Sequence, residues 1–367
     1  MTRAAILTAF NPDIYRGGIE SFIINLKAFL LEKNISVDIH CILPDRTMTV
    51  KPFPIKSLKK KINEFLLNCF MMGRAFSRIE KNYDFVISHN FYGLGYFSPK
   101  VKSFNVYHSV HAAYANALRE KISGPEYRDL KYFFGHLGDR MAGRKKNRIA
   151  VSQAVRDELD AYYGFKKITV VNHGIDTAFF KKIEGTAPLR EKWKIPSGAF
   201  VGIFVGRWEI GKNIDSIEEV MRLHPDIIWL LAVGPSECPL EMNNIRIIKD
   251  ADKETLRELY SLSDFMLFPS FYEGFGLAII EAMACELPVI CTEVGVAKDL
   301  LQFDALRRLI LPNLDKTGLV RGISDRISFL KKGMLDKNVI AAGRSIIEKD
   351  YSLELWKNKM SAALGLQ

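Results

Sequence analysis

The sequence predicts an α/β protein of two tandem lobes, each a largely parallel sheet covered by helices on both faces. Three observations carry this. At 367 residues the chain exceeds the ~250–300 residues at which one hydrophobic core stops growing. Short β-branched apolar runs alternate with amphipathic helical stretches from end to end, the signature of a parallel sheet. The rhythm pauses once, from Thr177 to Gly198, where lysines, Gly185, Pro188 and Pro196 interrupt it before it restarts.

In the first half, Ala4–Phe10, Val37–Leu43, Phe85–Ser88, Phe104–His108, Ile149–Ser152 and Thr169–Asn172 read as strands. Gly18–Leu31, Leu58–Arg78, Tyr127–Met141 and Gln153–Tyr163 read as helices between them. In the second half, Phe200–Gly206, Ile227–Val233, Ile245–Lys249, Phe265–Pro269 and Pro288–Thr292 read as strands, with helices at Asp215–Arg222, Lys253–Leu262 and Gly276–Ala284. The expected domains are therefore 1–176 and 177–352, with the closing helix Leu353–Leu364, and so residues 353–367, available to complete the first. Two Rossmann-like lobes facing each other across a deep cleft follow. Ligands in such sheets bind beyond the carboxyl ends of strands, so the loops there are where chemistry is expected.

Composition excludes several classes. With 48% hydrophobic and 26% charged residues and no short repeat, neither a solenoid nor a disordered scaffold fits. The five cysteines (Cys41, Cys69, Cys238, Cys285, Cys291) are scattered, without a Cys-x-x-Cys pair, which argues against a zinc site or a disulfide framework and for a reducing compartment. The apolar start of MTRAAILTAFNPD is too short for a signal peptide, and no run of about 18 apolar residues exists, so a soluble chain is expected. The net charge of +10 is concentrated in the first half: Lys51 to Arg78 holds seven basic residues against Glu64 alone, and Arg144-Lys145-Lys146-Asn147-Arg148 forms a second cluster. Such charge attracts phosphates, whether of lipid, nucleic acid or sugar nucleotide.

Four strand-end loops carry candidate chemistry. Gly17 and Gly18 follow the first strand and open a helix, where free amides and the dipole form an anion cradle, or simply a tight turn. The pattern is not Gly-x-Gly-x-x-Gly, so a nicotinamide dinucleotide is poorly supported. His108, ending a strand, can donate to a phosphate or a sugar hydroxyl; His111 and His89 are weaker candidates, and each could be a structural histidine. Arg207 and Lys212 flank a turn after a strand ending in Gly206, a pair of cations suited to neutralising a departing diphosphate. Lastly Glu273-Gly274-Phe275-Gly276-Leu277 leads into a helix carrying Glu281, two carboxylates able to hold different ends of one elongated ligand. No Asp-x-Asp or histidine cluster accompanies them, so no metal is expected.

Together these loops resemble glycosyltransferase family 4, retaining enzymes with the GT-B fold. The resemblance covers most of the chain: Gly17-Gly18-Ile19-Glu20, His108, Val151-Ser152-Gln153, Asn172-His173-Gly174-Ile175-Asp176-Thr177, Gly206-Arg207 with Lys212, and Glu273 through Glu281 with Pro288-Val289 downstream. It implies that Arg207 and Lys212 hold the donor diphosphate, Glu273 the donor sugar and Glu281 the nucleotide ribose. Gly18 would offer its amide to the phosphate, and His108 would lie near the transferred sugar. The implied donor is a UDP- or GDP-sugar, a co-substrate with no resident cofactor and no metal. In the implied mechanism the leaving phosphate takes the acceptor's proton. Two departures stand out: Glu286 where the family commonly has glycine, and Val296 in place of the second glycine of a Gly-Gly pair. They put donor specificity in doubt.

The acceptor side is less explicit. Leu58, Ile62, Phe65, Leu66, Cys69, Met72 (or Gly73) and Phe76 recur at helical spacing behind Lys56, Lys59, Lys60 and Lys61. The stripe reads as a helix buried against the sheet; the lysines suit attachment to an anionic membrane. The expectation is a glycan or lipid-linked acceptor in surface-polysaccharide or lipopolysaccharide synthesis, with the protein cytoplasmic and peripheral at the inner face of the membrane. No nucleic-acid partner is expected. The alternatives are another GT-B enzyme, of epimerase or phosphorylase type, and an inactive basic relative that binds membrane or nucleic acid.

Overall fold

The computed structural model describes residues 2–15, 17–42, 61–234, 238–312 and 314–366, the side chains of 61–63 excepted. The chain divides into two compact units: Met1–Asn172 with Lys357–Gln367, and His173–Trp356. The division falls four residues before the sequence-derived boundary, and the closing helix Leu353–Leu364 is shared between the units. Within the first unit, Lys102 Nζ donates to the Leu364 carbonyl at 2.7 Å and Lys357 pairs with Glu32 at 2.8 Å, anchoring the last turns of that helix.

The first unit holds β1 (Arg3–Thr8), β2 (Ser36–Cys41), β3 (Phe85–His89), β4 (Lys102–Tyr107), β5 (Asn147–Ala150) and β6 (Ile168–Val170). They form one parallel sheet in the order β2-β1-β3-β4-β5-β6. Strands buried on both faces need continuous apolar runs, and β1 meets this with Ala4, Ala5, Ile6 and Leu7 all fully buried. The helix over Lys61–Phe76 sends Leu66, Cys69, Met72 and Phe76 into the core. The stripe is therefore core, as its spacing suggested. Lys56, Lys59 and Lys60 lie outside the described residues, as does the side chain of Lys61.

One helix differs from its sequence pattern. Tyr127–Met141 reads as a single α-helix; the structure has a short α-turn at Gly124–Arg128, a π-helix over Asp129–Asp139 and another α-turn at Arg140–Ala142. The wider winding places Phe134, Gly135, Gly138 and Asp139 in the interior and leaves Tyr132, Phe133 and Leu137 exposed.

The second unit holds β7 (Val201–Gly206), β8 (Ile228–Val233), β9 (Ile245–Lys249), β10 (Phe265–Phe268), β11 (Val289–Thr292) and β12 (Ile310–Leu311). Their order is β12-β11-β10-β7-β8-β9, again all parallel. Trp229, Phe204, Phe265 and Ile217 centre its core. Two of its helices start on side-chain caps where Asp252 accepts from the Thr255 amide and Asp315 from the Gly318 amide. The interval read as pure linker contains a helical turn at Ala187–Lys192, and the helices Lys316–Lys331 and Lys337–Asp350 complete the unit. No helix among the described residues is long and apolar enough to cross a membrane.

Candidate functional site

In the second unit three loops meet at the carboxyl ends of β7, β10 and β11. The Phe271 amide donates to the Gly211 carbonyl at 3.0 Å, joining the turn after β7 to the loop after β10. The Thr292 hydroxyl donates to the Ser270 carbonyl at 2.6 Å, and the Val296 amide to the Phe275 carbonyl at 2.6 Å, joining both to the loop after β11. Gly295 has φ +51°, and a Cβ there would lie 2.3 Å from the Phe275 carbonyl oxygen, so only glycine permits this approach. Val296 is fully buried at the start of the next helix; its departure from glycine is accommodated by pointing the side chain inward.

This framework sets Lys212 Nζ 2.5 Å from Glu273 Oε1, with the two side chains only 15% and 13% exposed. The ammonium also lies 5.0 Å from the Phe268 ring centroid. Arg207 is far more exposed and pairs with Glu209 at 3.0 Å. The two cations therefore do not converge on one protein group; each holds its own carboxylate. Gly276 caps the helix Leu277–Ala284 with φ +91°, and Gly274, Phe275 and Leu277 complete the loop. Phe275 is buried against His173, ring centroids 4.9 Å apart. Burial holds the His173 imidazole neutral, its pKa lowered to about 3.

Glu281 sits inside that helix, buried, and accepts a hydrogen bond from the Tyr260 hydroxyl at 3.2 Å. Desolvation raises its pKa to about 7, with the Tyr260 bond and Lys253 pulling the other way. Glu273 and Glu281 are thus unlike carboxylates: one is a partner to a cation, the other a buried group whose pKa desolvation pushes up.

In the first unit the strand ends carry histidines. His89 Nδ1 and His108 Nε2, ending β3 and following β4, are 2.9 Å apart with stacked rings, both buried. The Asn90 side chain accepts from the His108 amide at 2.8 Å. His111 bonds through Nδ1 to Asp139 at 2.9 Å. Gly17 and Gly18 open the helix Gly18–Glu32, and the Glu20 carboxylate folds back over Gly17: its Oε2 lies 2.6 Å from where a Gly17 Cβ would be.

The second basic cluster is only partly a cationic surface: Arg144 and Lys145 are exposed, but its other two cations turn to the protein. Lys146 is buried, donating to Ser88 Oγ at 3.1 Å and lying 5.0 Å from the Tyr96 ring centroid, and desolvation lowers its pKa to about 7. Arg148 folds onto the Phe165 ring, 4.5 Å from its centroid, and onto backbone carbonyls. Sequence reasoning also missed Tyr260 beside Glu281 and Asp139 beside His111. Both are far along the chain from their partners, so no local spacing announces them.

The chain is similar over its whole length to proteins of known structure. Sucrose-phosphate synthase from Thermosynechococcus elongatus superposes with a TM-score of 0.79 at 18% identity, covering 99% of this chain and 98% of that one. The Anabaena protein HepE, solved with UDP-glucose, gives 0.70 at 15% identity and covers both chains fully (100%). Two parallel sheets with loops of this kind at their strand ends define a GT-B glycosyltransferase fold. The family model for glycosyltransferase family 4 matches residues 16–179, and that for glycosyl transferases group 1 matches residues 186–345. The chain belongs to this glycosyltransferase family. Among curated relatives, the D-inositol 3-phosphate glycosyltransferase of Kineococcus radiotolerans is 29% identical over 59% of this chain and 55% of its own length. The O-antigen chain mannosyltransferase B of Escherichia coli is 28% identical over 35% of this chain and 40% of its own length. The matched stretch is thus about half the length of these relatives or less.

Proposed function

We propose that the chain is a retaining, metal-independent hexosyltransferase that takes its sugar from a UDP- or GDP-sugar, with no resident cofactor. The carrying observation is the Lys212–Glu273 pair, held nearly closed at the ends of β7 and β10 by backbone bonds between loops. An isolated ion pair so situated contributes little to stability after its desolvation. A donor gives each member a better partner: diphosphate for the ammonium, sugar hydroxyls for the carboxylate. Arg207, exposed and paired with Glu209, supplies the second cation at small rearrangement cost. Glu281 accepts from the ribose hydroxyls, and the backbone amides of Gly274, Phe275 and Gly276 lie at the helix start where a phosphate is favoured.

The first unit takes the acceptor, a glycan or a lipid-linked sugar of surface-polysaccharide or lipopolysaccharide assembly. In this reading the chain works from the cytoplasm as a peripheral protein, held to anionic lipid by Lys56–Lys61. HepE, solved with UDP-glucose, and the O-antigen mannosyltransferase support the donor class and the acceptor class respectively.

A thermal-shift screen of UDP-, GDP-, ADP- and CMP-sugars tests the donor. The right one stabilises the fold by ~2.7 kcal/mol at a hundredfold excess over its dissociation constant, and Glu281→Ala weakens that effect. Retention is read from the anomeric configuration of the product by NMR, and metal independence from activity in excess EDTA. If none of these nucleotides stabilises the chain, the reading is wrong.

A further inference from the structure

The π-helix over Asp129–Asp139 turns a surface outward that neither the core nor the donor-binding loops use. Closed by i→i+5 bonds, such a helix brings residues four and five apart onto one face. On the inner face that spacing gives Phe134, Gly135, Gly138 and Asp139, all buried. The glycines permit the close approach: a Cβ at Gly135 would lie 3.0 Å from the Ala112 amide nitrogen, and one at Gly138 3.1 Å from the Phe91 Cβ. On the outer face the same spacing gives Tyr132, Phe133 and Leu137, with Arg128 on the turn before. Tyr132, Phe133 and Leu137 are 52%, 43% and 48% exposed, so large apolar side chains face solvent together rather than singly.

Cations are laid along that face and are not neutralised within it. Arg119 lies over the Tyr127 ring at 5.7 Å, and Lys131 over the same ring at 5.2 Å and over Tyr132 at 5.8 Å. The His136 ring stacks on Tyr132 with centroids 5.8 Å apart. Burial, then the charges of Arg140 and Lys131, lower the pKa of His136, so those two cations sit about the same ring. Arg128 and Arg140 are exposed, and Arg144 and Lys145 carry the charge further. Among the described residues, none of Arg119, Arg128, Lys131 and Arg140 forms an ion pair. The acids of this stretch do not cancel them. Glu126 is taken by the amide and hydroxyl of Ser123 and Asp139 is turned inward to His111, leaving Glu120 exposed and Asp129 half-buried.

We propose that this face of the first unit docks on an anionic lipid bilayer, with Phe133 and Leu137 entering the boundary between headgroups and acyl chains. The surrounding arginines and Lys131 meet lipid phosphates. An apolar centre flanked by cations matches the layers of such an interface: apolar groups at the acyl boundary, tyrosine rings at the headgroups, and long basic side chains reaching phosphate. Nucleic acid would use the cations and the rings but offers Leu137 no apolar partner. A neutral glycan would stack on the rings and leave the cations unpaired. The surface belongs wholly to the first unit and goes beyond the donor reading, since it asks nothing of Lys212, Glu273 or a sugar nucleotide. It is also separate from Lys56–Lys61.

Co-sedimentation of the full chain with vesicles tests it. Binding is expected to mixed phosphatidylglycerol–phosphatidylcholine vesicles, not to phosphatidylcholine alone, and should weaken as salt rises. Arg128→Gln with Arg140→Gln should weaken it about 25-fold, at about fivefold per cation. Phe133→Ser with Leu137→Ser should weaken it about tenfold or more. All four side chains are exposed, so the melting temperature should not change. Phe133→Trp, measured against the wild-type chain, should show fluorescence that shifts to the blue when vesicles are added, a sign of insertion that charge attraction alone does not give. Unchanged binding in both double variants overturns the proposal, as does a Phe133→Trp spectrum that vesicles leave unmoved. Binding that is lost when Lys56, Lys59, Lys60 and Lys61 are all changed to Gln, but kept in Phe133→Ser with Leu137→Ser, assigns attachment to that segment and overturns it too. If single-stranded DNA binds through Arg128 and Arg140 while vesicles do not bind, the face is a nucleic-acid surface and the proposal falls. Vesicle binding as expected, with stabilisation by no sugar nucleotide, would support it while overturning the donor reading.

Discussion

At the ends of β7 and β10 the second unit holds a charged pair, Lys212 and Glu273, in loops tied together by backbone bonds and by glycine turns at positive φ. At the ends of β3 and β4 the first unit holds a buried hydrogen-bonded network instead: His89 on His108, Asn90 on the His108 amide, and Ser88 between Lys146 and Asn105. One lobe concentrates formal charge near its surface; the other buries a polar network. The difference fits a division of labour between a diphosphate, which needs cations, and hydroxyl-rich groups, which need directional partners. Predictions follow from trying to break each side.

Removing the charge should have the largest effect. Lys212→Ala should reduce transfer by about 10²–10³-fold, the scale for losing one preorganised stabiliser of developing charge. The melting temperature should fall as well, since the mostly buried Glu273 carboxylate loses its counter-charge, so transfer is compared well below that midpoint. A full-activity Lys212→Ala protein would remove the case for diphosphate binding in this unit. Next in size is the framework itself. Gly295→Ala would put a Cβ 2.3 Å from the Phe275 carbonyl oxygen at φ +51°. A destabilisation of about 2–3 kcal/mol is expected, read as a lowered urea midpoint, together with weaker donor stabilisation because the Glu273 loop must shift.

The same contrast explains what could be read from the sequence. The second unit's site is written locally: Gly206 to Lys212 and Glu273 to Glu281 are short stretches, each at a strand end, and the sheet order brings the strands side by side. The alternation of strands and helices was equally plain, because strands buried on both faces must be apolar runs. What could not be read depends on long separations. Asp139 meets His111 across 28 positions and Tyr260 meets Glu281 across 21. The π-helix was hidden because its residues still suit an α-helical stripe; the extra residue per turn is chosen by packing at Gly135 and Asp139. Lys146 looked like surface charge because a run of basic residues does not show which member turns inward.

Acidity gives a third way to sharpen the comparison, since the two units respond in different pH windows. Glu281 is raised from its ordinary 4.5 to about 7 by burial. Between those values the folded state holds a proton that the unfolded state has lost, so its contribution makes stability fall as pH rises. Glu281→Gln should cancel that fall, which is on the order of 1–3 kcal/mol. Its urea midpoint should gain on wild type from pH 4.5 to 7 and keep the gain above it. His173, lowered to about 3, acts oppositely: its stability is lost as pH falls below 6.5, which makes the difference between the two proteins the informative quantity. In the first unit Lys146, lowered from 10.5 to about 7, is the mirror case. There the unfolded chain holds the extra proton, so stability rises from about pH 7 towards 10.5, and Lys146→Met should flatten that rise. If the units unfold in one transition, both effects shift the same midpoint, each in its own window; if they unfold separately, each variant shifts only the transition of its own unit.

The smallest effect expected is at Glu286, just beyond the helix Leu277–Ala284. It has φ +60°, the left-handed region, where its Cβ crowds the backbone and glycine has no such cost. The position is one where the resemblance leads to an expectation of glycine, and the backbone here still has the shape that glycine favours. Glu286→Gly should therefore raise stability by about 1 kcal/mol, less whatever the unfolded chain gains in freedom. The Glu286 amide bonds to the Met283 carbonyl at 3.0 Å and the Leu287 amide to the Ala282 carbonyl at 3.0 Å, so the turn itself is preserved. A gain in urea midpoint with unchanged donor stabilisation would mean that the departure is a local strain, separate from sugar recognition. A changed preference among UDP- and GDP-sugars would instead tie the strained turn to the Glu273–Glu281 segment, and make it a determinant of specificity in the charged lobe alone.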